Sequence, residues 1–491
     1  MVGSLTPIAA SDLVRYKITD NDLRLREGIR WYGLYQADKK LGYLKETFFA
    51  NGTGSDLVWV HRHTAVIKLH SRAQKAEMEL TEERVFDGQA PHRFRRGRLS
   101  TSAARSVRCI EIGREGKGFK AVISEGGERF TRVLPHFDYT LGDEFAGEIW
   151  IRNKPKQGET VYARFFDIGA LEMDTLAMEL VSSMRSMVDG VEIDIYEVRI
   201  TSHRSGALPI HRLDSQGKLL SFTAGSIFEA RFEPEHLAKK IEYGRNLFVF
   251  GISKLDKPLG LPSRKVKSLV LRVSGEGASK IHNGPRQAIH RQGDSIFLYI
   301  GRDHGHPTEV TAKEIRENLK ETVRYPIKHQ KIMSLAREAV GDASDDWLKV
   351  MRLVTFVFKF IKDEHLLVSL PVFEIIKQGR GDCSEHALLF TALARTSGIP
   401  AREVLGLTYL NDRLQAFGWH AWCEVAVNGQ WVPVDPTWLE FDIDATHISM
   451  GSGESWLWLE TVGQLSFKLV SVNGKKPDVK NRVSPFRTKL R

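Results

Sequence analysis

Cysteine is scarce in this chain, since only three of its 491 residues are cysteines. Three cysteines cannot form the disulfide framework of a small extracellular domain, so the fold must be held together by packing. Long apolar runs are missing too, because no stretch reaches the roughly eighteen residues of a membrane-spanning helix. Hydrophobic residues still make up 42% of the chain, which predicts a globular protein with about two to four domains.

Other absences narrow the function. Residues 1–17 have no basic start followed by an apolar core, so no signal peptide is predicted. No loop of the Asp-x-Asp-x-Asp-Gly kind is present, so no calcium requirement is expected. No nucleic-acid-binding motif is visible, and aromatic residues are rarely interleaved with basic ones, so nucleic acid is not an expected partner. We therefore expect neither a metal nor another cofactor.

Positive charge is in excess, with a formal net charge of +10. Basic residues cluster in residues 92–98 and in the C-terminal tail, residues 480–491. A solvated basic face is the simpler interpretation of such clusters. The alternative is an anionic partner surface, such as phospholipid headgroups or an acidic polysaccharide.

Alternation of apolar and polar residues predicts strands from about Gly28 to Phe232. Residues 29–49 alternate around a polar turn and predict a hairpin. Residues 191–201 alternate as well, and Asp214–Gly217 predict a turn between two further strands. Residues 175–184 are expected to form a short helix. The front of the chain is therefore predicted to be a β-rich meander.

The pattern changes near residue 305. A second group of strands is predicted over residues 247–300, and from about Pro307 the apolar residues recur at helical spacing. Asp345 and Asp346 suit the first turn of the third predicted helix. The predicted organisation is an N-terminal segment (1–27), a β-rich domain (28–240), a second β module (241–305), an α+β core (306–465) and a C-terminal strand with a basic tail (466–491).

One cysteine, Cys383, stands in the segment "GDCSEHALLFTALARTSG". The apolar spacing predicts a helix with Asp382 as its N-cap, which places Cys383 in the first turn. There the helix dipole lowers the pKa of a thiol and favours a nucleophilic thiolate. An ordinary buried cysteine is the commoner case. Glu385 and His386, which follow, are expected to be a solvated pair at the rim, and Gln378 is considered as an additional oxyanion donor.

A nucleophilic thiol needs a base and a group that orients the base. Downstream, "WHAWCEVAV" and "QWVPVD" predict two strands joined by an Asn-Gly turn. Such a hairpin brings His420 and Asp435 side by side. Taken singly, His420 also fits a histidine buried in a strand, and Asp435 fits a turn residue before a proline.

The same segment admits a zinc site made of Cys383, His386, His420 and Cys423. His420 and Cys423 are three residues apart in a predicted strand, so their side chains point to opposite faces. This geometry disfavours zinc, and Cys423 is interpreted as a small core residue.

The motifs around these residues resemble the catalytic core of the transglutaminase-like superfamily. "GDCSEHALLF", "WHAWCEV" and "WVPVDPTW" occur in the family's order, and the resemblance spans about residues 320–460. It implies that Cys383 is the nucleophile, His420 the base and Asp435 the orienting acid. The implied fold is an α+β core of the papain-like or transglutaminase-like kind, in which the cysteine-bearing helix packs on an antiparallel sheet behind all-β N-terminal modules.

The resemblance implies thiol-dependent acyl transfer on the amide bonds of peptides or proteins. Water as acceptor gives a peptidase or amidase, and an amine gives a transglutaminase. The alternative is a non-catalytic protein that keeps the fold to bind peptides or an envelope surface. The front half is similar, more weakly, to modules of exported or membrane-anchored bacterial proteins. Because no signal peptide is visible, both an extracytoplasmic and a cytoplasmic location stay open.

Overall fold

The structure is a computed structural model of the chain. It describes residues 12–36, 39–70, 75–103, 106–188, 190–225, 228–241, 251–305, 309–453 and 461–476. The basic tail predicted at residues 480–491 lies outside these ranges.

The front of the chain forms one antiparallel sheet of fourteen strands. These strands are β1 (Gly28–Gln36), β2 (Lys39–Asn51), β3 (Val58–His70), β4 (Lys75–Asp87), β5 (Phe94–Ala103), β6 (Ser106–Glu115), β7 (Gly118–Glu125), β8 (Glu128–Leu134), β9 (Thr160–Asp167), β10 (Glu172–Val188), β11 (Val191–Ser202), β12 (Gly206–Asp214), β13 (Leu219–Ala224) and β14 (Phe228–Phe232). Each strand pairs with its neighbour in sequence, except that β8 and β9 end the sheet and β1 pairs with β14. The predicted hairpin at residues 29–49 and the turn at Asp214–Gly217 are confirmed.

The front sheet curves so that strands from its two ends share a core. Phe94 of β5 packs against Phe166 of β9, with ring centroids 5.4 Å apart, although the two strands lie far apart in the strand order. Three short helices lie beside this sheet, namely α1 (Asp20–Arg26), α2 (Leu141–Glu144) and α3 (Ala146–Arg152). Phe145, between α2 and α3, is buried in the same core.

The prediction of a short helix at residues 175–184 is wrong, because these residues belong to strand β10. The segment contains strong helix formers, but it pairs with β9 on one side and β11 on the other. Met178 and Leu180 are both buried, and their spacing of two is the period of a strand. Pairing and burial therefore outweigh the local helix propensity.

The rest of the chain builds a helical layer on a second sheet. Helix α4 (Glu235–Ala238) packs on β1 and β2 of the front sheet. The other helices are α5 (Ala312–Asn318), α6 (Gln330–Val340), α7 (Asp346–Phe360), α8 (Val372–Gln378) and α9 (Cys383–Thr396). The second sheet contains β15 (Ser253–Leu255), β16 (Ser268–Ser274), β17 (Gln287–Gln292), β18 (Ser295–Gly301), β21 (Ala401–Asn411), β22 (Ala416–Val427), β23 (Gln430–Val434), β24 (Ile448–Ser452) and β25 (Ser466–Val472). The short strands β19 (Lys362–Asp363) and β20 (Arg380–Gly381) pair only with each other, in parallel. The three helices predicted after residue 307 are confirmed, with Asp345 capping α7. No helix of the described residues is long and apolar enough to cross a membrane.

The second sheet runs in the order β17-β18-β16-β25-β15-β22-β21-β24, and β23 also pairs with β22. The residues predicted as a second β module thus share one sheet with the core, through the pairing of Ser253 with Phe417. Strand β25 joins the two parts by pairing with β16 and β15. The division of the chain into independently folding units at the boundaries given above stays a prediction.

The front sheet also contacts the helical layer directly. The carboxylate of Glu125, at the end of β7, accepts a hydrogen bond of 3.2 Å from the backbone N–H of Phe373 in the first turn of α8. Phe130 of β8 packs against the Phe373 ring, with centroids 5.6 Å apart. A Cβ on Gly126 would lie 2.6 Å from the Phe373 backbone, so the turn after β7 requires glycine for close approach. The front region therefore supports the helix that precedes Cys383.

Candidate active site

The first turn of α9 is built by a capping box. Asp382 is the N-cap, and its carboxylate accepts a 3.0 Å hydrogen bond from the N–H of Ser384. The carboxylate of Glu385 in turn accepts a hydrogen bond of 2.8 Å from the backbone N–H of Asp382. A Cβ on Gly381 would lie 2.3 Å from the Glu385 Cβ, so the glycine makes room for this box. The predicted helix start is confirmed, and Cys383 is the first residue of α9.

Glu385 and His386 do not form the solvated rim pair that the sequence predicted, because both are buried. Besides capping Asp382, the carboxylate of Glu385 accepts the N–H of Leu370 at 2.8 Å. Burial, and then the negative charge of Asp382, raise the pKa of Glu385 to about 8. His386 donates from Nδ1 to the carbonyl oxygen of Asp382 at 2.7 Å. Both side chains therefore fix the backbone at Asp382, directly before Cys383.

The β22–β23 hairpin brings the other two candidate residues together, as predicted. Asn428 and Gly429 both have positive φ, of 51° and 75°, which is the turn that matches the twist of a two-residue hairpin. Asp435 follows β23 directly. The His420 Nε2 atom lies 2.7 Å from an Asp435 carboxylate oxygen, Oδ2, and both side chains are buried.

The Asp435 carboxylate is held by four groups. Oδ2 faces His420 and, at 3.4 Å, Nε2 of His447, while Oδ1 accepts the backbone N–H groups of Thr437 at 2.7 Å and Trp438 at 3.4 Å. Burial by itself would raise the pKa of Asp435, but the charges and hydrogen bonds of the two histidines lower it below its ordinary value. The carboxylate is therefore ionised and fixed in orientation.

His447 is a site residue that the sequence reasoning missed. It is fully buried, and its Nδ1 atom lies 3.4 Å from the Asp444 carboxylate while Nε2 faces Asp435. Burial disfavours the charged ring, but hydrogen bonds to Asp435 and Asp444 raise the pKa of His447 to about 10. No spacing signal tied His447 to Asp435.

Trp438 was also missed as a site residue, although the motif "DPTW" contains it. Its ring stacks on the His420 imidazole with centroids 4.1 Å apart and planes 10° apart. Trp422 lies on the other side of the histidine at 6.2 Å. The two indoles therefore limit rotation of the His420 ring.

The Cys383 thiol lies beside the strand that carries His420. The backbone N–H of Ala421, the next residue after His420, is close enough to the Cys383 sulfur to affect its pKa, and the side chain is only partly exposed. Burial, and then the negative charge of Asp382, raise the pKa of the thiol, while the Ala421 N–H acts in the opposite direction. The pKa depression expected from the helix dipole is thus outweighed, and the resting sulfur is a thiol.

Gln378 does not offer a free amide donor to this site. Its side-chain nitrogen donates to Glu374 at 2.8 Å, and its oxygen accepts from Arg380 at 3.0 Å. The amide instead links the end of α8 to β20.

Cys423 is a core residue, as predicted. It is fully buried, with its sulfur 3.4 Å from the carbonyl oxygen of Ala387 and 3.6 Å from the Thr391 hydroxyl. Burial raises its pKa well above the ordinary value. It is inert by position, in contrast to Cys383.

Three groups of histidine and carboxylate side chains among the described residues bring ligand atoms within 4.8 Å of one another. They are Glu46, His61 and His63; His420, Asp435 and His447; and Glu440, Asp444 and His447. None contains a cysteine, so the zinc set considered from the sequence is not assembled. In the first group Arg26 contacts the same Glu46 oxygen as the histidines, which makes it a buried ionic network.

A cleft of about 590 Å³ lies between the front sheet and the core. It reaches Ser384 and Ala421, the residues that follow Cys383 and His420 in the chain, but its lining includes neither Cys383 nor His420. Its front wall is lined by Arg108, Asp167, Gly169, Ala170, Glu172 and Arg204. The core contributes Thr322, Val323, Arg324, Ser369, Ser384, Glu403, Val404, Leu405, Ala421, Gly451 and Gly453. A substrate in this cleft would therefore contact both regions.

Residues 333–436 match the family model of the transglutaminase-like superfamily. The chain therefore carries a transglutaminase-like domain, and the matched span contains Cys383, His420 and Asp435. The resemblance inferred from the three motifs is confirmed, over a shorter span than the expected 320–460. No curated protein sequence matches the chain significantly.

Three solved structures are similar at low sequence identity. A proposed cysteine protease from Cytophaga hutchinsonii is 14% identical, with a TM-score of 0.28, over 46% of this chain and 90% of that one. A β-barrel-like protein from Brucella abortus, of a domain family of unknown function, is 12% identical, with a TM-score of 0.32, over 42% and 94%. A proposed protease from Parabacteroides distasonis ATCC 8503 is 10% identical, with a TM-score of 0.20, over 70% and 69%.

Proposed function

We propose that the chain is a thiol-dependent acyl-transfer enzyme that acts on amide bonds of peptides or proteins. The observation that carries this proposal is the 2.7 Å contact of His420 with Asp435, on strand β22, against which the helix that begins at Cys383 packs. The match to the transglutaminase-like superfamily over residues 333–436 supports it.

In the proposed reaction Asp435 fixes the tautomer of His420. Because Asp435 binds Nε2, the proton of the neutral ring stays on Nε2, and Nδ1 is the nitrogen that accepts a proton. His420 takes the proton of the Cys383 thiol as the sulfur attacks the amide carbonyl carbon. The raised pKa of the thiol means that this transfer accompanies substrate binding rather than precedes it.

The tetrahedral intermediate then collapses to a thioester on Cys383. The C–N bond breaks, and His420 gives its proton to the leaving amine. The backbone N–H of Cys383, at the positive end of α9, is proposed to stabilise the oxyanion. Water or a primary amine then attacks the thioester carbonyl carbon while His420 removes its proton. The C–S bond breaks, and His420 gives the proton to the sulfur, which restores the thiol.

His447 is proposed to position the orienting carboxylate. Asp444 holds one ring nitrogen of His447, and the other faces Asp435. With two backbone N–H groups on its other oxygen, Asp435 has no freedom to rotate away from His420.

A peptide library, incubated with and without an added primary amine and analysed by mass, tests the function. Hydrolysed peptides identify a peptidase or amidase, and coupled peptides a transglutaminase. Cys383→Ala is the control that must abolish either product. If the unchanged chain only binds peptides, the alternative of a non-catalytic binding protein replaces this proposal.

A further inference from the structure

Among the described residues, three arginines line the cleft, namely Arg108, Arg204 and Arg324. Arg204 pairs with Asp167, and Arg324 pairs through two nitrogens with Glu403, so these cleft residues neutralise one another. Arg108 of β6 has its partner outside the cleft lining.

Arg108 contacts its partner through one edge only. Its Nε atom lies 3.1 Å from Oε2 of Glu125, which is almost fully buried and whose other oxygen accepts the N–H of Phe373. Within the part of the chain that the structure describes, the two terminal amino groups of Arg108 have no hydrogen-bond partner. A guanidinium offers a planar fork of donors that matches a carboxylate, and this fork is unused here.

The surroundings of Arg108 favour an additional anion. Burial lowers the pKa of Arg108, and the nearby positive charge of Arg324 adds to this effect, while the negative charges of Glu125 and Asp167 oppose it. A carboxylate bound in the cleft would offset both the burial of the Arg108 guanidinium and its repulsion by Arg324. Of the acids that line the cleft, Asp167 and Glu403 are paired with arginines and Glu172 with Lys320.

From this geometry we infer that the front sheet selects the substrate: the terminal amino groups of Arg108 bind a carboxylate of an acidic peptide that lies in the cleft with its reacting amide at Cys383. The inference rests on the proposed function and names its substrate class. It also assigns the β-rich region a role in recognition.

Binding is measured on the full-length Cys383→Ala chain, so that turnover does not interfere. The probes are short capped peptides in matched pairs, with Glu or Gln at one position at a time. Since a hydrogen bond to a charged group contributes about 1.5–3 kcal/mol, one Glu peptide should bind about 10- to 100-fold more tightly than its Gln twin. Arg108→Gln, in the same background, should remove this preference.

Arg108→Gln leaves Glu125 buried without its partner, so folding must be checked by thermal unfolding. Arg108→Lys is the second variant, because it keeps a charge beside Glu125 but cannot bind a carboxylate with a fork, and the preference should fall several-fold. The matched control is Arg98→Gln on the neighbouring strand β5, whose exposed side chain pairs with Glu111 outside the cleft. It should keep the full preference.

Equal binding of every Glu and Gln pair to the Cys383→Ala chain overturns the inference, and so does a preference that survives Arg108→Gln. The proposed enzyme function is tested separately, by turnover in the chain with Cys383 intact. Acidic peptides that bind selectively but never react would refute the enzyme and leave the carboxylate site standing. Turnover of peptides with no preference for Glu over Gln would overturn the carboxylate site and leave the proposed enzyme standing.

Discussion

Replacing Asp435 by asparagine should disable His420 while leaving its position almost unchanged. The Oδ1 atom of Asp435 faces two backbone N–H groups, from Thr437 and Trp438, so the amide oxygen of an asparagine must take that place. The amide NH₂ then faces His420 Nε2, which has to become an acceptor. The ring proton moves to Nδ1, the nitrogen that should receive the thiol proton.

The expected loss follows from this change of tautomer. Where a base is locked in the wrong tautomer, the rate falls on the order of 10³- to 10⁴-fold. Stability should fall as well, because the hydrogen bond to the charged His447 is lost, which costs about 1.5–3 kcal/mol.

The assay is kcat/KM of Asp435→Asn on a peptide found in the library, with urea unfolding of the same protein. Asp346→Asn, which changes an exposed acid in the first turn of α7, is the matched control; it should leave kcat/KM unchanged and lower the free energy of unfolding by no more than about 1 kcal/mol, from its pairing with Lys349 and the helix dipole. A folded Asp435→Asn protein with the activity of the unchanged chain would refute the orienting role of Asp435.

Three further outcomes are expected. His420→Ala should reduce turnover nearly as far as Cys383→Ala, because residues that act as a unit are not additive; near-full turnover of the histidine variant, measured on the same peptide, would remove His420 from the mechanism. Iodoacetamide should alkylate Cys383 faster than buried Cys423 in the folded protein, slowly at neutral pH and faster as the pH rises, because the pKa of Cys383 is raised; equal labelling of Cys423, located by mass spectrometry, would contradict this. The pKa of His447 is raised to about 10 from an ordinary value near 6.5, so its stabilisation is fully present below about pH 6.5 and is lost as the pH rises through 10. The free energy of unfolding lost in His447→Gln should therefore be large at pH 6 and small at pH 10.5 in urea titrations, and a difference that does not shrink would refute the charged state.

The local parts of the site could be predicted from the sequence. Asp382 and Cys383 form a helix start because a capping residue precedes an apolar run with helical spacing. His420 and Asp435 meet because an Asn-Gly turn sets the register of the β22–β23 hairpin. Both signals lie within a few residues of the groups that they position, so neighbouring residues suffice to read them.

Contacts between distant segments could not be predicted in this way. His447 reaches Asp435 from a loop before β24, and the charge of a buried histidine leaves no pattern in its neighbours. Glu385 was misjudged as exposed, since a carboxylate in a first helical turn is usually solvated, whereas here the N–H of Leu370 draws it inward. The cleft, with Arg108 on one wall and Ser384 on the other, exists only because two distant regions pack together.

The strand assignment failed where local preference and pairing disagree. Residues 175–184 have the composition of a helix, but they pair with β11 from Leu176 onward and with β9 as far as Glu179. In the same way, the pairing of β1 with β14 joins residues about two hundred positions apart, and no local pattern indicates that the front strands form one sheet.

The central claim is that Cys383 carries the acyl group, and the mass of the intact protein tests it most directly. The chain is mixed with a peptide that it converts, quenched rapidly in acid and analysed by mass, with fragmentation to locate any adduct. We predict an added acyl group on Cys383 that disappears on incubation with water or an amine, and that is absent from Cys383→Ala. Rapid product formation with no adduct on Cys383, or product formation by Cys383→Ala, would contradict the proposal.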